Sequence, residues 1–188
     1  MKRVLVPLAD GCEDLEAITI TDLLVRAGAE VVRAGLKPGE VTAGRGARML
    51  PDTVLECVKN DTFDMIALPG GRPGADHLAE SAVLRDMVKN QFEAGRWVAA
   101  ICAAPRALAA AGVLENRTVT CFPSALDGLA PASTTVTENP MEVDGHLITA
   151  KGPGVAMDFT LLLIETLWNK AHRKEVEGPL QRPGIGGR

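Results

Sequence analysis

Short continuous apolar runs alternate along the chain with longer segments whose apolar positions recur at helical spacing. "RVLVPLA" (Arg3 to Ala9), "FDMIALPGG" (Phe63 to Gly71) and "RWVAAI" (Arg96 to Ile101) are runs of the kind that strands buried on both faces produce. "AEVVRAG" (Ala29 to Gly35) is a further strand, and "CEDLEAITITDLLVRAG" before it places Leu15, Ile18, Leu23 and Leu24 at roughly helical spacing, with Gly28 as the stop. Arg3 to Gly35 is therefore a β-α-β unit, which implies parallel pairing and a right-handed crossover.

The pattern continues in the same style. "EVTAGRGARMLPD" predicts a short β excursion around a glycine turn, and Pro51-Asp52 opens a brief helix through Cys57. "SAVLRDMVKNQFEAG" is an amphipathic helix with Ser81 as N-cap, and "APRALAAAG" is a helix following "RWVAAI". "TVTCF" and "HLITA" are short strands, "TTVTENPMEVDGHLITA" a β-rich flap turning at Asp144-Gly145, and "GVAMDFTLLLIETLWNKA" one long apolar helix. The expectation is a single α/β domain over residues 1–171, followed by a Gly/Pro-rich tail over 172–188. Its class is a flavodoxin-like, doubly wound, mainly parallel sheet with helices on both faces.

Composition narrows the function classes. The 188 residues suit one domain, and 46% hydrophobic with 3% aromatic and no tyrosine implies an aliphatic core. So few aromatic rings argue against a base-stacking platform, and a formal charge of −4 argues against an electrostatic nucleic-acid binder. No run approaches the roughly 20 apolar residues of a spanning helix, and "MKRVLVPLADG" reads as a strand and not a signal peptide. A cytoplasmic protein that engages no membrane is expected. Cys12, Cys57, Cys102 and Cys121 form no CxxC pair, so neither a disulfide scaffold nor a metal site is expected.

In an open parallel sheet, sites form beyond the carboxyl ends of the strands. Three loops fall there: Asp10 to Glu16, Gly70 to Gly74, and Cys102 to Pro105. Ala100-Ile101-Cys102-Ala103-Ala104 has the small-x-nucleophile-x-small spacing of a strained strand-to-helix elbow. A following helix N-terminus would favour the thiolate, and its N–H groups would hold an oxyanion. The competing reading is a buried, space-filling cysteine. Glu16, one turn into the first helix, is placed to share a proton with a thiol at a neighbouring strand end; burial would raise its pKa. Its competing reading is a solvated helix-start carboxylate. His77, His146 and His172 fall on a helix surface, after a turn and in the tail, so a Cys-His-acid triad is disfavoured.

Taken in order, "GCEDLEA", "ALPGG", "AAICAAP" and "KGPG" resemble the DJ-1/ThiJ/PfpI superfamily, and the DJ-1 branch most. The resemblance runs from Arg3 to about Lys170. It implies that Cys102 is an oxidation-sensitive nucleophile and Glu16 its protonated partner, with Gly71 and Ala103 supplying the oxyanion N–H groups. Gly70, Arg45, Arg26 and Phe122 would belong to the pocket, the arginines attracting anionic groups. Phe122 stands where the best-known animal member carries a histidine, and Lys151 stands in the family's "RGPG" element. The resemblance further implies a homodimer through the first helix and no cofactor.

Three functions are open at this point. One is a glyoxalase or deglycase acting on methylglyoxal, related 2-oxoaldehydes or their adducts. Another is a redox sensor or redox-regulated chaperone that uses oxidation of Cys102. A cysteine peptidase or amidase is the third. Cys121 adds the alternative of a resolving thiol for oxidised Cys102, against plain burial.

Overall fold

The computed structural model describes residues 1–183. Its centre is a seven-stranded sheet built from β1 (Arg3–Leu8), β2 (Glu30–Gly35), β5 (Thr53–Val54), β6 (Met65–Leu68), β7 (Trp97–Ile101), β10 (Met141–Asp144) and β11 (Leu147–Ala150). The spatial order is β10-β11-β7-β6-β1-β2-β5, and every neighbouring pair is parallel except β10 with β11. Val4 to Leu8, Met65 to Leu68 and Val98 to Ile101 are almost without exposure, as the apolar runs require. Two minor sheets flank it: β3 (Val41–Thr42) with β4 (Arg48–Met49), antiparallel, and β8 (Thr118–Thr120) with β9 (Thr135–Thr137), parallel.

Helices cover both faces. α1 (Asp14–Arg26) packs on α6 (Ala156–Leu167), which carries α7 (Lys170–Glu177). On the opposite face α3 (Gly74–Glu80), α4 (Ala82–Glu93) and α5 (Pro105–Ala110) pack together, with the single turn α2 (Leu55–Val58) against α4. The Ser81 side chain accepts the N–H of Leu84, so the expected N-cap of α4 is present. The expected doubly wound, mainly parallel architecture is the one observed.

Local readings differ at four places. Leu15 and Ile18 are half-exposed on α1, and Ala17, Ile20, Leu23 and Leu24 form the face that enters the core. The helix expected from Pro51 starts later, because Thr53 and Val54 first pair with Ala34 and Gly35 at the sheet edge. The flap hairpin turns at Gly145 and His146, with Asp144 still paired to Leu147. The apolar helix does not run through Ala171: its ladder stops at Leu167, and α7 starts afresh with Asn169 as N-cap. The expected division after residue 171 thus falls inside α7, and Arg182 ties the following residues back through Glu177 (2.6 Å) and Asp158 (2.5 Å). The expectation for residues 184–188 lies outside the described residues.

The chain leaves β1 toward β2 and β5, then returns to build β6, β7 and β11 on the other side. The switch point therefore lies between β1 and β6, and the loops after β1, β6 and β7 converge on it.

Candidate active site

Cys102 follows β7 directly and is held from two sides. Its N–H donates to the Ala150 carbonyl at 2.8 Å, and its own carbonyl accepts the Phe122 N–H at 2.8 Å. Between these anchors its backbone takes φ +62, a left-handed conformation that costs a non-glycine residue on the order of 1 kcal/mol. A turn through Ala104 then leads to Pro105, the first residue of α5. The thiol is nearly buried, at 6% exposure.

The corner leaves no room for a side chain on the neighbouring loop. A Cβ on Gly70 would lie 2.7 Å from the Cys102 Cβ and 2.7 Å from the Ile101 carbonyl oxygen. Gly71 sits at φ +85 with the Glu13 nitrogen where its Cβ would be. This close approach is what lets the Gly71 and Ala103 N–H groups both point at the Cys102 sulfur.

Glu16 arrives from the first turn of α1 and has no exposed surface. Its Oε2 accepts the Gly70 N–H at 2.7 Å, while Oε1 is buried without a hydrogen-bond partner, and the Cys102 thiol lies near the carboxyl group. Burial raises the Glu16 pKa to about 7, in spite of the Gly70 N–H, which favours the charged form. The Cys102 thiol is pushed up to about 12, first by burial and then by the negative charge of ionised Glu16.

This corrects one expectation. The helix behind Cys102 was expected to favour the thiolate, but α5 has only six residues and begins three positions later. Burial and Glu16 outweigh it. What the geometry favours is a shared proton: Cys102-SH beside Glu16-COO⁻ carries the same net charge as Cys102-S⁻ beside Glu16-COOH. In the second form the carboxylic acid and two backbone N–H groups all donate to sulfur, so a thiolate forms without adding charge to the buried pair.

A cavity of about 300 Å³ opens over the sulfur, lined by Glu13, Arg45, Gly71, Arg72, Cys102, Ala103, Phe122 to Ala125, and Pro153. Of the expected residues, Cys102, Gly71, Ala103, Arg45 and Phe122 meet there, with Gly70 and Glu16 immediately behind. Arg26 does not belong: it ends α1, away from the Glu16 turn, and its Nε pairs with Asp22 at 2.7 Å. Lys151 is drawn off to Glu138, although Pro153 of the same "KGPG" stretch reaches the cavity. Cys121 is buried, its sulfur receiving the N–H groups of Leu126 and Ala125.

The sequence reading took Glu13 as a favourable first-turn charge and passed over Arg72 and Ser124. Arg72 lay in a stretch read only for its glycines, and Ser124 in one read only for Phe122. A larger cavity of about 450 Å³ lies between Leu8, Leu36, Val41, Lys37 and His77. It holds no thiol, and its Lys37 is paired with Asp10 at 2.5 Å, so the chemistry lies with the smaller one. Among the described residues no cluster of His, Cys, Asp and Glu is arranged to hold a metal, and no helix is long and apolar enough to cross a membrane.

The chain is similar to known proteins along most of its length. The model of the DJ-1/PfpI family matches residues 2–166. Protein DJ-1 homolog B of Arabidopsis thaliana is 42% identical over 188 residues, covering 98% of this chain but only 43% of the plant protein. The chain thus spans less than half of that relative's length. The glutathione-independent glyoxalase DJR-1.2 of Caenorhabditis elegans is 40% identical over 164 residues, 87% of each chain. Among solved structures, oxidized Toxoplasma gondii DJ-1 superimposes with a TM-score of 0.90 at 38% identity, covering 97% of this chain and 100% of that one.

Proposed function

Because the chain belongs to the DJ-1/PfpI family, we propose that it is a cofactor-independent glyoxalase that acts on methylglyoxal and related 2-oxoaldehydes through Cys102. The observation that carries this reading is the wholly buried Glu16 carboxyl group lying near the Cys102 thiol. Glu16 takes the thiol proton as sulfur adds to the aldehyde carbon. The new alkoxide lies toward the Gly71 and Ala103 N–H groups, which the attack turns from sulfur to oxygen. The hemithioacetal rearranges through an enediol to a 2-hydroxy thioester, and water releases the 2-hydroxy acid and the thiol. Attack on aldehyde-derived adducts of thiols and amines by the same steps is deglycation.

The name of the Caenorhabditis elegans relative supports the reaction class. The exposed Leu15, Ile18 and Val25 on α1 support a homodimer through that helix. The test is lactate formation from methylglyoxal by reduced protein without glutathione. Lactate supports the enzyme, and its absence overturns the reading.

A second reading rests on the same donors. A carboxylic acid and two N–H groups around one sulfur suit a cysteine sulfinate as well as a thiolate, which favours a redox sensor or redox-regulated chaperone. Sulfinate on Cys102 after mild peroxide, without aldehyde turnover by the reduced protein, is its signature. A peptidase or amidase is the weakest reading, since no histidine lines the cavity.

A further inference from the structure

The rearrangement of the hemithioacetal needs a base that Glu16 cannot supply. Once it has taken the thiol proton, Glu16 is an acid and no longer a base, and its Oε2 accepts the Gly70 N–H. Yet the C1 proton of the adduct must leave and a proton must arrive at C2. Among the residues lining the cavity the basic groups are Cys102 itself and Glu13; the remainder are two arginines, a serine and apolar or backbone positions. The histidines are engaged elsewhere: His77 on the Asp10 carbonyl at 3.0 Å, His146 against Trp97 at 5.0 Å, His172 on the Ala27 carbonyl at 2.8 Å.

Glu13 stands one helical turn before Glu16, at the N-cap of α1. Its backbone is fixed by the bond from its N–H to the Gly70 carbonyl at 2.9 Å, next to the oxyanion donor Gly71. Its side chain is only partly buried and makes no capping bond, and its charge reaches Glu16. The N-cap position thus holds a long carboxylate that makes no capping bond.

We infer that Glu13 is a second catalytic carboxylate, the base that carries the C1 proton of the bound aldehyde to C2. This inference rests on the glyoxalase reading. Glu13 removes the C1 proton, and the freed electron pair forms the C1–C2 double bond while the C2 carbonyl oxygen takes a proton from Glu16. Glu13 then returns its proton to C2, and the C1 alkoxide collapses to the thioester carbonyl. Water attacks that carbonyl, the C–S bond breaks, and the 2-hydroxy acid leaves. C1 is oxidised as C2 is reduced, so one water is consumed and no outside oxidant is required.

The test compares the full chain with Glu13→Gln and Glu13→Ala, using methylglyoxal as substrate and iodoacetamide as a probe of Cys102. In Glu13→Gln, kcat is expected to fall about 100-fold, the size of a lost general base, while alkylation of Cys102 and the unfolding midpoint stay unchanged. Methylglyoxal deuterated at C1 then shows a larger isotope effect than with wild type, and added formate restores turnover to Glu13→Ala. Wild-type kcat in Glu13→Gln overturns the assignment, as does a loss matched by slowed alkylation, which would place Glu13 behind Cys102. Absence of turnover by the wild type overturns the glyoxalase reading itself, and the role of Glu13 with it.

Discussion

Burying the Glu16 carboxyl group costs folding free energy only when it is charged, so its titration is visible in stability as well as in catalysis. Its ordinary value of 4.5 rises to about 7 in the folded chain. Between these values the folded state keeps a proton that the unfolded state has lost. The associated stability is complete below the lower value and gone once pH passes the upper one, a span on the order of 3 kcal/mol. Glu16→Gln removes this slope, so its unfolding midpoint should gain on wild type as pH is raised from 5 to 8; parallel curves would contradict it. The sequence placed Cys102 and Glu16 together because both follow buried strands at one end of the sheet. It put Arg26 in the pocket, whereas helical spacing pairs that residue with Asp22, and it read Glu13 as no more than an acidic first-turn residue. The direction of the thiol shift was hidden too, since it depends on how deeply α1 sinks Glu16 beneath the sulfur.

Elements were legible where burial alone decides them, and less so where pairing or packing does. β1, β6 and β7 announce themselves as continuous apolar runs. By contrast β8 and β9, with alternating threonines, pair in parallel across a long intervening segment that no local pattern reveals. The face of α1 was misread because Leu15 and Ile18, two of the four positions it was read from, point outward and the buried set includes a glutamate. The loop after β6 and the turn after β7 act as one unit, because Gly70 permits their contact. Gly70→Ala would push its new methyl group into the Cys102 Cβ and the Ile101 carbonyl, neither of which has a free rotor. Turnover is expected to fall at least about tenfold, the scale of damage that a small misplacement of reacting groups inflicts, with the protein still folded. Wild-type kinetics in that variant would mean that the two loops do not set the geometry of the sulfur.

At the scale of the whole molecule, the strand order creates a switch point between β1 and β6, and the site stands there because three strand ends deliver an acid, a pair of N–H donors and a thiol to it. The apolar residues that α1 leaves outside support the proposed dimer. Leu15→Glu combined with Ile18→Glu should yield a monomer by light scattering, and an unchanged mass would place the contact elsewhere. The central claim is that Cys102 attacks and Glu16 receives its proton. It is tested most directly by measuring lactate formed from methylglyoxal, without glutathione, by wild type, Cys102→Ser and Glu16→Gln side by side. The account predicts turnover by wild type and a loss of about 100-fold or more in each variant, with folding intact. Turnover at the wild-type rate in either variant would contradict it.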